Sequence, residues 1–230
     1  MHKVTRRSQD SAAPVDLLLF DVDGTLLHHP EGMVIWELLN RRFSGDHRIN
    51  EERFAAFRAG KITYSQWVDL DIGSWQAAGA RRIEIIEAIA GLEPAPGARE
   101  ALAELLARGY RLAVVSGTLD VGLEHVFPDH PFTDVFTNKI SFAEDGTISG
   151  WEATPYDMRG KVLAMERLCA HHGVDPRRCA FVGDGINDVE IARAVGVSVA
   201  FHSRCEELQA VVDHVVPGPD LRDILPLFPR

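Results

Sequence analysis

Four short polar clusters stand out from an otherwise ordinary sequence: Asp21-Val22-Asp23-Gly24-Thr25, Ser116-Gly117, Lys161, and Gly183-Asp184-Gly185-Ile186-Asn187-Asp188. Their residue types suit the handling of a phosphoryl group. A carboxylate attacks phosphorus once the repulsion between two anions is offset, and a second carboxylate past a tight turn serves as proton donor and acceptor. A hydroxyl followed by a backbone N–H, together with a lysine ammonium, supplies the hydrogen bonds and charge that a transferring phosphoryl group needs. Taken singly, each cluster has an ordinary reading: Asp-x-Asp-Gly is a turn, Ser116 an N-cap, Lys161 a surface lysine. Their recurrence at one kind of place in the chain argues for a site.

That place is the end of an apolar run or the start of a helix. Val15 to Phe20 precedes the first cluster, Arg111 to Val115 the second and Cys179 to Val182 the fourth, while Val197 to Phe201 runs into His202-Ser203. Helical patterns lie between them: Ala98 to Arg108 with Leu102, Leu105 and Leu106 on one face, Lys161 to His172 with Val162, Leu163, Met165 and Leu168, and Asn187 to Val195. Strands alternating with helices predict a doubly wound, Rossmann-like parallel α/β sheet that binds its ligand beyond the carboxyl ends of the strands. Asp21, Asp23, Asp184 and Asp188 then crowd together at one sheet end. Such crowding is costly without a cation, and Mg²⁺ is a hard ion suited to carboxylates, water and a substrate phosphate. The same burial and crowding are expected to raise the pKa of Asp23.

Two stretches interrupt the alternation. Residues 29–94 show helical patterns and no strand: Ile35 with Leu38 and Leu39, Tyr64 with Trp67 and Val68, Ile83 with Ile86 and Ala90. They predict an inserted helical cap that returns to the sheet through Glu93-Pro94-Ala95-Pro96-Gly97. Its aromatic residues, among them Trp36, Phe54, Phe57, Tyr64, Trp67 and Trp75, are expected chiefly to form the cap's own core, with some walling a pocket. Asp134 to Trp151 predicts a hairpin around Ala143-Glu144-Asp145-Gly146. The chain therefore divides into a disordered tail at 1–13, a core at 14–28 and 95–230, and the cap at 29–94.

Composition narrows the function. With 46% apolar and 25% charged residues over 230 positions, the chain buries a proper core and is not disordered overall. A formal charge of −10, from 24 basic and 34 acidic residues, argues against a nucleic-acid partner. Any phosphate handled is carried by a small molecule. Leu17 to Phe20 is too short an apolar run for an export signal or a membrane span. Cys169, Cys179 and Cys205 form neither a disulfide framework nor a C-x-x-C site, which fits reduced thiols in the cytoplasm. The pairs His28-His29 and His171-His172 lack the i, i+4 spacing of a helical metal site and read as solvated, although His28 and His29 follow the first cluster closely enough to line a pocket. The oligomeric state is not legible.

The order D-x-D-G-T, Ser, Lys, G-D-x-x-x-D resembles the signature of the haloacid dehalogenase superfamily of phosphohydrolases. Within it, the helical insertion, Ser116-Gly117, the hairpin and Gly-Asp-Gly-Ile-Asn-Asp look most like the phosphoserine phosphatase branch. The resemblance covers roughly residues 15–216 outside the cap. It implies a Mg²⁺-dependent phosphomonoester hydrolase in which Asp21 is the nucleophile that becomes an aspartyl phosphate and Asp23 the general acid and base. Asp21, the backbone carbonyl of Asp23, and Asp184 hold the metal, with Asp188 in support through water or as an outer ligand. Ser116 and the Gly117 N–H, at a helix start, bind the phosphoryl oxygens together with Lys161. Asn187 serves either the substrate and phosphate or a helix cap. Phosphoserine is the first expected substrate. The alternatives are another small phosphomonoester such as a phosphorylated amino alcohol, transfer to an alcohol other than water, and, were the nucleophile missing, a phosphate-binding protein without activity. The branch meets the substrate amine with an acid shortly after the first motif and the carboxylate with a cap arginine, for which Glu31 and Arg53 or Arg58 are the candidates. Thr118 stands where the branch often has a second glycine.

Overall fold

A computed structural model describes residues 15–46 and 48–229, so the segment read as a tail lies outside the described residues. The run read from Val15 becomes a strand at Leu17. Leu17–Phe20 (β1) has every side chain buried, as a central parallel strand requires when helices cover both faces. Arg111–Leu119 (β4) and Cys179–Gly183 (β7) flank it in parallel, pairing Leu17 with Arg111 on one side and with Cys179 on the other. Val197–Phe201 (β8) and His214–Val216 (β9) extend the sheet beyond β7, again in parallel. Asp134–Phe142 (β5) pairs in parallel with β4, and Ile148–Glu152 (β6) folds back antiparallel on β5. The seven-stranded order is thus β6-β5-β4-β1-β7-β8-β9.

Ala98–Ala107 (α5), Asp120–Val126 (α6), Lys161–His172 (α7), Val189–Ala194 (α8) and Glu206–Gln209 (α9) connect the core strands. Leu102 and Leu105 of α5 are buried, whereas Leu106 is turned to solvent; on α7 Met165 and Leu168 are buried and Leu163 is exposed. In each helix the exposed leucine sits next to the buried row in sequence, and one residue of helix rotation, about 100°, carries it out of the apolar stripe.

The insertion contains Ile35–Phe43 (α1), Ile49–Arg58 (α2), Tyr64–Ala77 (α3) and Arg82–Ala88 (α4). Short strands Leu27–His28 (β2) and Glu93–Pro94 (β3) pair antiparallel where the chain leaves and re-enters the core, so Glu93-Pro94 is a strand as well as a breaker. Thr63 caps α3 reciprocally with Gln66: Thr63 Oγ1 accepts the Gln66 N–H and Gln66 Oε1 accepts the Thr63 N–H. In α4 the buried residues are Ile85 and, just after it, Ile89, rather than Ile83, Ile86 and Ala90. The docking of α4 decides this, because the Arg82 N–H donates to the Gly146 carbonyl of the β5–β6 turn. Trp151 Nε1 donates to Asp69 and Gln76 Nε2 to the Ile148 carbonyl, so the hairpin holds the helices on the sheet.

The insertion does not keep a separate core. Ile35, Leu38, Leu39, Ile72 and Trp75 belong to one continuous apolar cluster with Leu18, Phe20 and Val114 of the sheet. Trp75 is fully buried, and its Nε1 donates to Asn40 Oδ1 at 2.9 Å. Trp75→Ala removes this packing and leaves the Asn40 oxygen unpaired, so the expected loss of stability is about 3–5 kcal/mol, measured by urea denaturation. A loss below about 1 kcal/mol would show that the cap collapses readily around the void.

Candidate active site

β1 ends where the chain must turn sharply, and the turn sets apart two carboxylates. Val22 is buried beneath the turn, and its carbonyl accepts the N–H groups of Thr25 and Leu26, while Asp21 and Asp23 line the cavity above. Gly24 has φ +82°, and a Cβ there would lie 2.3 Å from the Asp184 carboxylate, so both backbone and space require glycine. Thr25 is fully buried and its Oγ1 donates to Asp184 Oδ1 at 3.0 Å, tying the first cluster to the last.

Ser116 and Gly117 do not start a helix. Pairing between β4 and β5 jumps from Val115 opposite Phe136 to Leu119 opposite Asn138, so residues 116–118 bulge from the strand and α6 begins only at Asp120. The bulge aims these residues at the cavity. Their support comes from Asn138, which is fully buried and whose Nδ2 donates to the Gly117 carbonyl at 2.7 Å and to the Tyr64 hydroxyl at 2.8 Å. Asn138 Oδ1 accepts the Thr154 N–H, and Trp36 Nε1 also donates to the Gly117 carbonyl. A Cβ on Gly117 would meet the Asp157 carboxylate at 2.1 Å. Asn138 and Asp157 were not singled out from the sequence. An asparagine inside a strand, where the residue is depleted, was the available signal for the first; Asp157 offered none.

Lys161 is the first residue of α7 and is fully buried. Its Nζ lies 2.6 Å from Asp188 Oδ1 and 3.0 Å from Asp21 Oδ1. Burial alone would lower the lysine pKa, but Asp188 and Asp21 outweigh it and hold the pKa above the usual range, so the group is an ammonium. Asp188 spends its other oxygen on the N–H groups of Asp184 and Gly185, both at 2.9 Å. With both oxygens engaged, it positions the lysine and the loop.

Asp21, Asp184 and Asp188 each bring an oxygen within 4.8 Å of the others. Burial, followed by the charges of Asp21 and Asp188, pushes the Asp184 pKa well above the carboxylate range. Asp21 Oδ1 accepts no hydrogen bond of good geometry despite the nearby ammonium. Buried, crowded carboxylates with an Asp21 oxygen left unsatisfied are a donor set that a hard divalent cation fits. Burial, then the charge of Asp21, raises Asp23 to about 7.

Asp21, Asp23 and Asp184 open onto a cavity of about 340 Å³. Asp21, Asp23, Ser116, Gly117, Asp184 and Asn187 line its sheet side, and Trp36, Phe54, Tyr64 and Trp67 of the insertion line the other. The Asn187 side chain caps no helix; Nδ2 donates to Asp157 at 3.1 Å on the cavity wall. The specificity candidates fall elsewhere. Glu31 is exposed and accepts from Arg41 at 2.7 Å, and exposed Arg58 lies over the Phe54 ring. Arg53 is held by the buried Asp71 carboxylate, and Asp71, not the arginine, lines the cavity. His28 and His29 line a neighbouring cleft that shares Asp23 and Asp184, while His172, rather than being freely solvated, pairs with Asp134 at 2.7 Å.

The family profile of haloacid dehalogenase-like hydrolases matches residues 15–196. The phosphoserine phosphatase of Methanocaldococcus jannaschii is 27% identical over 216 residues, covering 91% of this chain and 95% of that protein. Phosphoserine phosphatase SerB2 of Mycobacterium tuberculosis is 30% identical over 210 residues, of which this chain spans about half the length, 49%. A solved phosphoserine phosphatase carrying a phospho-aspartyl intermediate analogue superposes with a TM-score of 0.74 at 25% identity, covering 94% of this chain and all of that one. With the fold, the strand-end carboxylates and a profile match over most of its length, the chain belongs to the haloacid dehalogenase-like hydrolase family, among relatives that are phosphoserine phosphatases.

Proposed function

We propose that the protein is a Mg²⁺-dependent phosphomonoesterase that works through an aspartyl phosphate on Asp21. The observation that carries this reading is the buried Asp21–Lys161–Asp188 contact beside Asp184, with Asp21 and Asp184 at the carboxyl ends of adjacent parallel strands and on the cavity wall. Its relatives act as phosphoserine phosphatases, which supports a small phosphomonoester as substrate. Among the described residues no helix is long and apolar enough to cross a membrane. The three cysteines are free thiols, in keeping with the cytoplasm.

Asp21 and Asp184, with the Asp23 carbonyl, would hold Mg²⁺. Bound there, the ion would neutralise phosphoryl and carboxylate charge and so permit attack of one anion on another. Ser116, the Gly117 N–H and Lys161 hold the phosphoryl oxygens. Asp21 attacks phosphorus, the ester P–O bond breaks, and protonated Asp23 gives its proton to the leaving alkoxide. Asp23, now a carboxylate, takes a proton from water as that water attacks the aspartyl phosphate. Inorganic phosphate leaves, and both aspartates return to their starting states. The aromatic roof excludes bulk water during the first step.

Two measurements on the full chain with Mg²⁺ test this. Para-nitrophenyl phosphate should be hydrolysed to inorganic phosphate, and acid quenching during turnover should trap a phosphoryl group on the peptide containing Asp21. Turnover with no covalent phosphoryl group, or with one on a different residue, would overturn the mechanism.

A further inference from the structure

The cavity wall opposite the phosphoryl site distinguishes among leaving groups. Beyond Asp21, Asp23 and Asp184, the described residues lining it include the acids Glu51, Asp71 and Asp157 and no lysine, arginine or histidine. Asp71 is fully buried. One of its oxygens is taken up by Asn40 Nδ2, at 2.7 Å, and by Arg53. The other, Oδ2, accepts no hydrogen bond of good geometry, and the Trp67 indole N–H, which interacts with this carboxylate, is likewise without a well-formed partner. Asn50 Oδ1, on the same wall, is likewise buried without a donor. The same wall carries aromatic rings, with those of Phe54 and Trp67 5.9 Å apart. Buried acceptors without a hydrogen bond of good geometry, an acidic lining with no base in it and a set of ring faces together describe a pocket for a cation.

We propose that the leaving group is an alkylammonium alcohol without a carboxylate, so that the substrate is a phosphorylated amino alcohol received by Glu51, Asn50, Asp71 and the Trp67–Phe54 wall. This inference rests on the phosphomonoesterase reading and narrows its substrate. Phosphoserine fits the wall poorly. Its carboxylate would enter a cavity whose ionisable lining is entirely acidic, and the Arg53 guanidinium, already held by Asp71 and absent from that lining, offers it no counter-charge there. An ammonium matches that lining and brings donors to Asn50 Oδ1 and Asp71 Oδ2, neither of which accepts a hydrogen bond of good geometry. A primary ammonium exploits both acceptors, whereas a quaternary one relies on the rings and on the charge of Glu51.

The test compares kcat/KM of the full chain with Mg²⁺ for phosphoethanolamine, phosphocholine, phosphoserine and para-nitrophenyl phosphate. At least one of the two alkylammonium esters should exceed phosphoserine by about tenfold or more, the difference a single well-placed charge contact makes in a closed pocket. Phosphoethanolamine leading would identify the hydrogen-bond acceptors as the dominant contact, phosphocholine leading the aromatic faces. Glu51 is exposed on α2, so Glu51→Gln and Glu51→Lys should fold. Each should reduce the ratio of alkylammonium ester to phosphoserine, by about fivefold for Gln and more for Lys. Hydrolysis of phosphoserine at least as efficient as that of both alkylammonium esters would overturn the inference and leave the phosphomonoesterase reading standing. An unchanged ratio in both Glu51 variants would overturn the role given to that wall. Failure to hydrolyse any of the four esters would overturn the broader reading together with this one.

Discussion

Asp21→Asn is expected to lower kcat by on the order of 10⁴-fold or more while the protein stays folded. The amide has nearly the shape of the carboxylate it replaces, so the packing of a residue only 4% exposed is preserved. Its oxygen does not attack phosphorus, and no other carboxylate stands in its place. Asp188 is locked by Lys161 and by two backbone N–H groups, and Asp184 accepts from Thr25. Lys161 keeps its shorter contact, to Asp188 at 2.6 Å, so the ammonium is not stranded. Loss of one of several crowded negative charges offsets part of the lost contact at 3.0 Å, and the change in stability should stay within about 2 kcal/mol. Rate and fold are therefore separable. Steady-state turnover, acid-quench trapping and urea denaturation should show lost activity, no covalent phosphoryl group and a nearly unchanged midpoint. Turnover within tenfold of the parent would remove Asp21 from the nucleophile's position.

The sheet and its catalytic edge were legible because each strand reads as a short apolar run and each cluster follows one directly or opens the next helix. Ser116 shows where that reading stops. A serine and glycine after an apolar run look like a strand end and a helix start, but the strand continues to Leu119 through a bulge, and the bulge is fixed by Asn138 on a neighbouring strand. Partners 21 residues apart leave no local trace. The cap is harder still. Glu31, Arg53 and Arg58 have the right chemistry for an amino-acid substrate, yet Arg41, Asp71 and Phe54 hold them. Charge complementarity within the cap decides which groups remain to meet a ligand, and that depends on the packing of α1, α2 and α3. The exposed Ile83 and the buried Ile85 make the same point in apolar terms, since docking on the hairpin turn selects the face of α4.

Chelation should reduce turnover by about 10³-fold or more, and added Mg²⁺ should restore it, because several kcal/mol of charge stabilisation at the phosphoryl group then depend on the ion. Ca²⁺, which is larger and takes more oxygen ligands, should support turnover poorly. Stability gives an independent readout, since Asp184 is held among Asp21 and Asp188 with its pKa well above the carboxylate range by burial and by those two charges. A ligand that binds only the folded protein stabilises it by about 2.7 kcal/mol at a hundredfold excess over its Kd, so Mg²⁺ should raise the Tm of the parent. Asp184→Asn removes a ligand together with the cost of holding a carboxyl, charged or protonated, beside Asp21 and Asp188. It should therefore raise the Tm in EDTA relative to the parent, abolish the Mg²⁺-induced gain, and lose activity to about the level of the chelated enzyme. A variant that kept both the Mg²⁺-induced gain in Tm and the activity would show that the ion is held by other groups. A parent fully active in chelator would show that Lys161 and Ser116 alone offset the charge of the phosphoryl group.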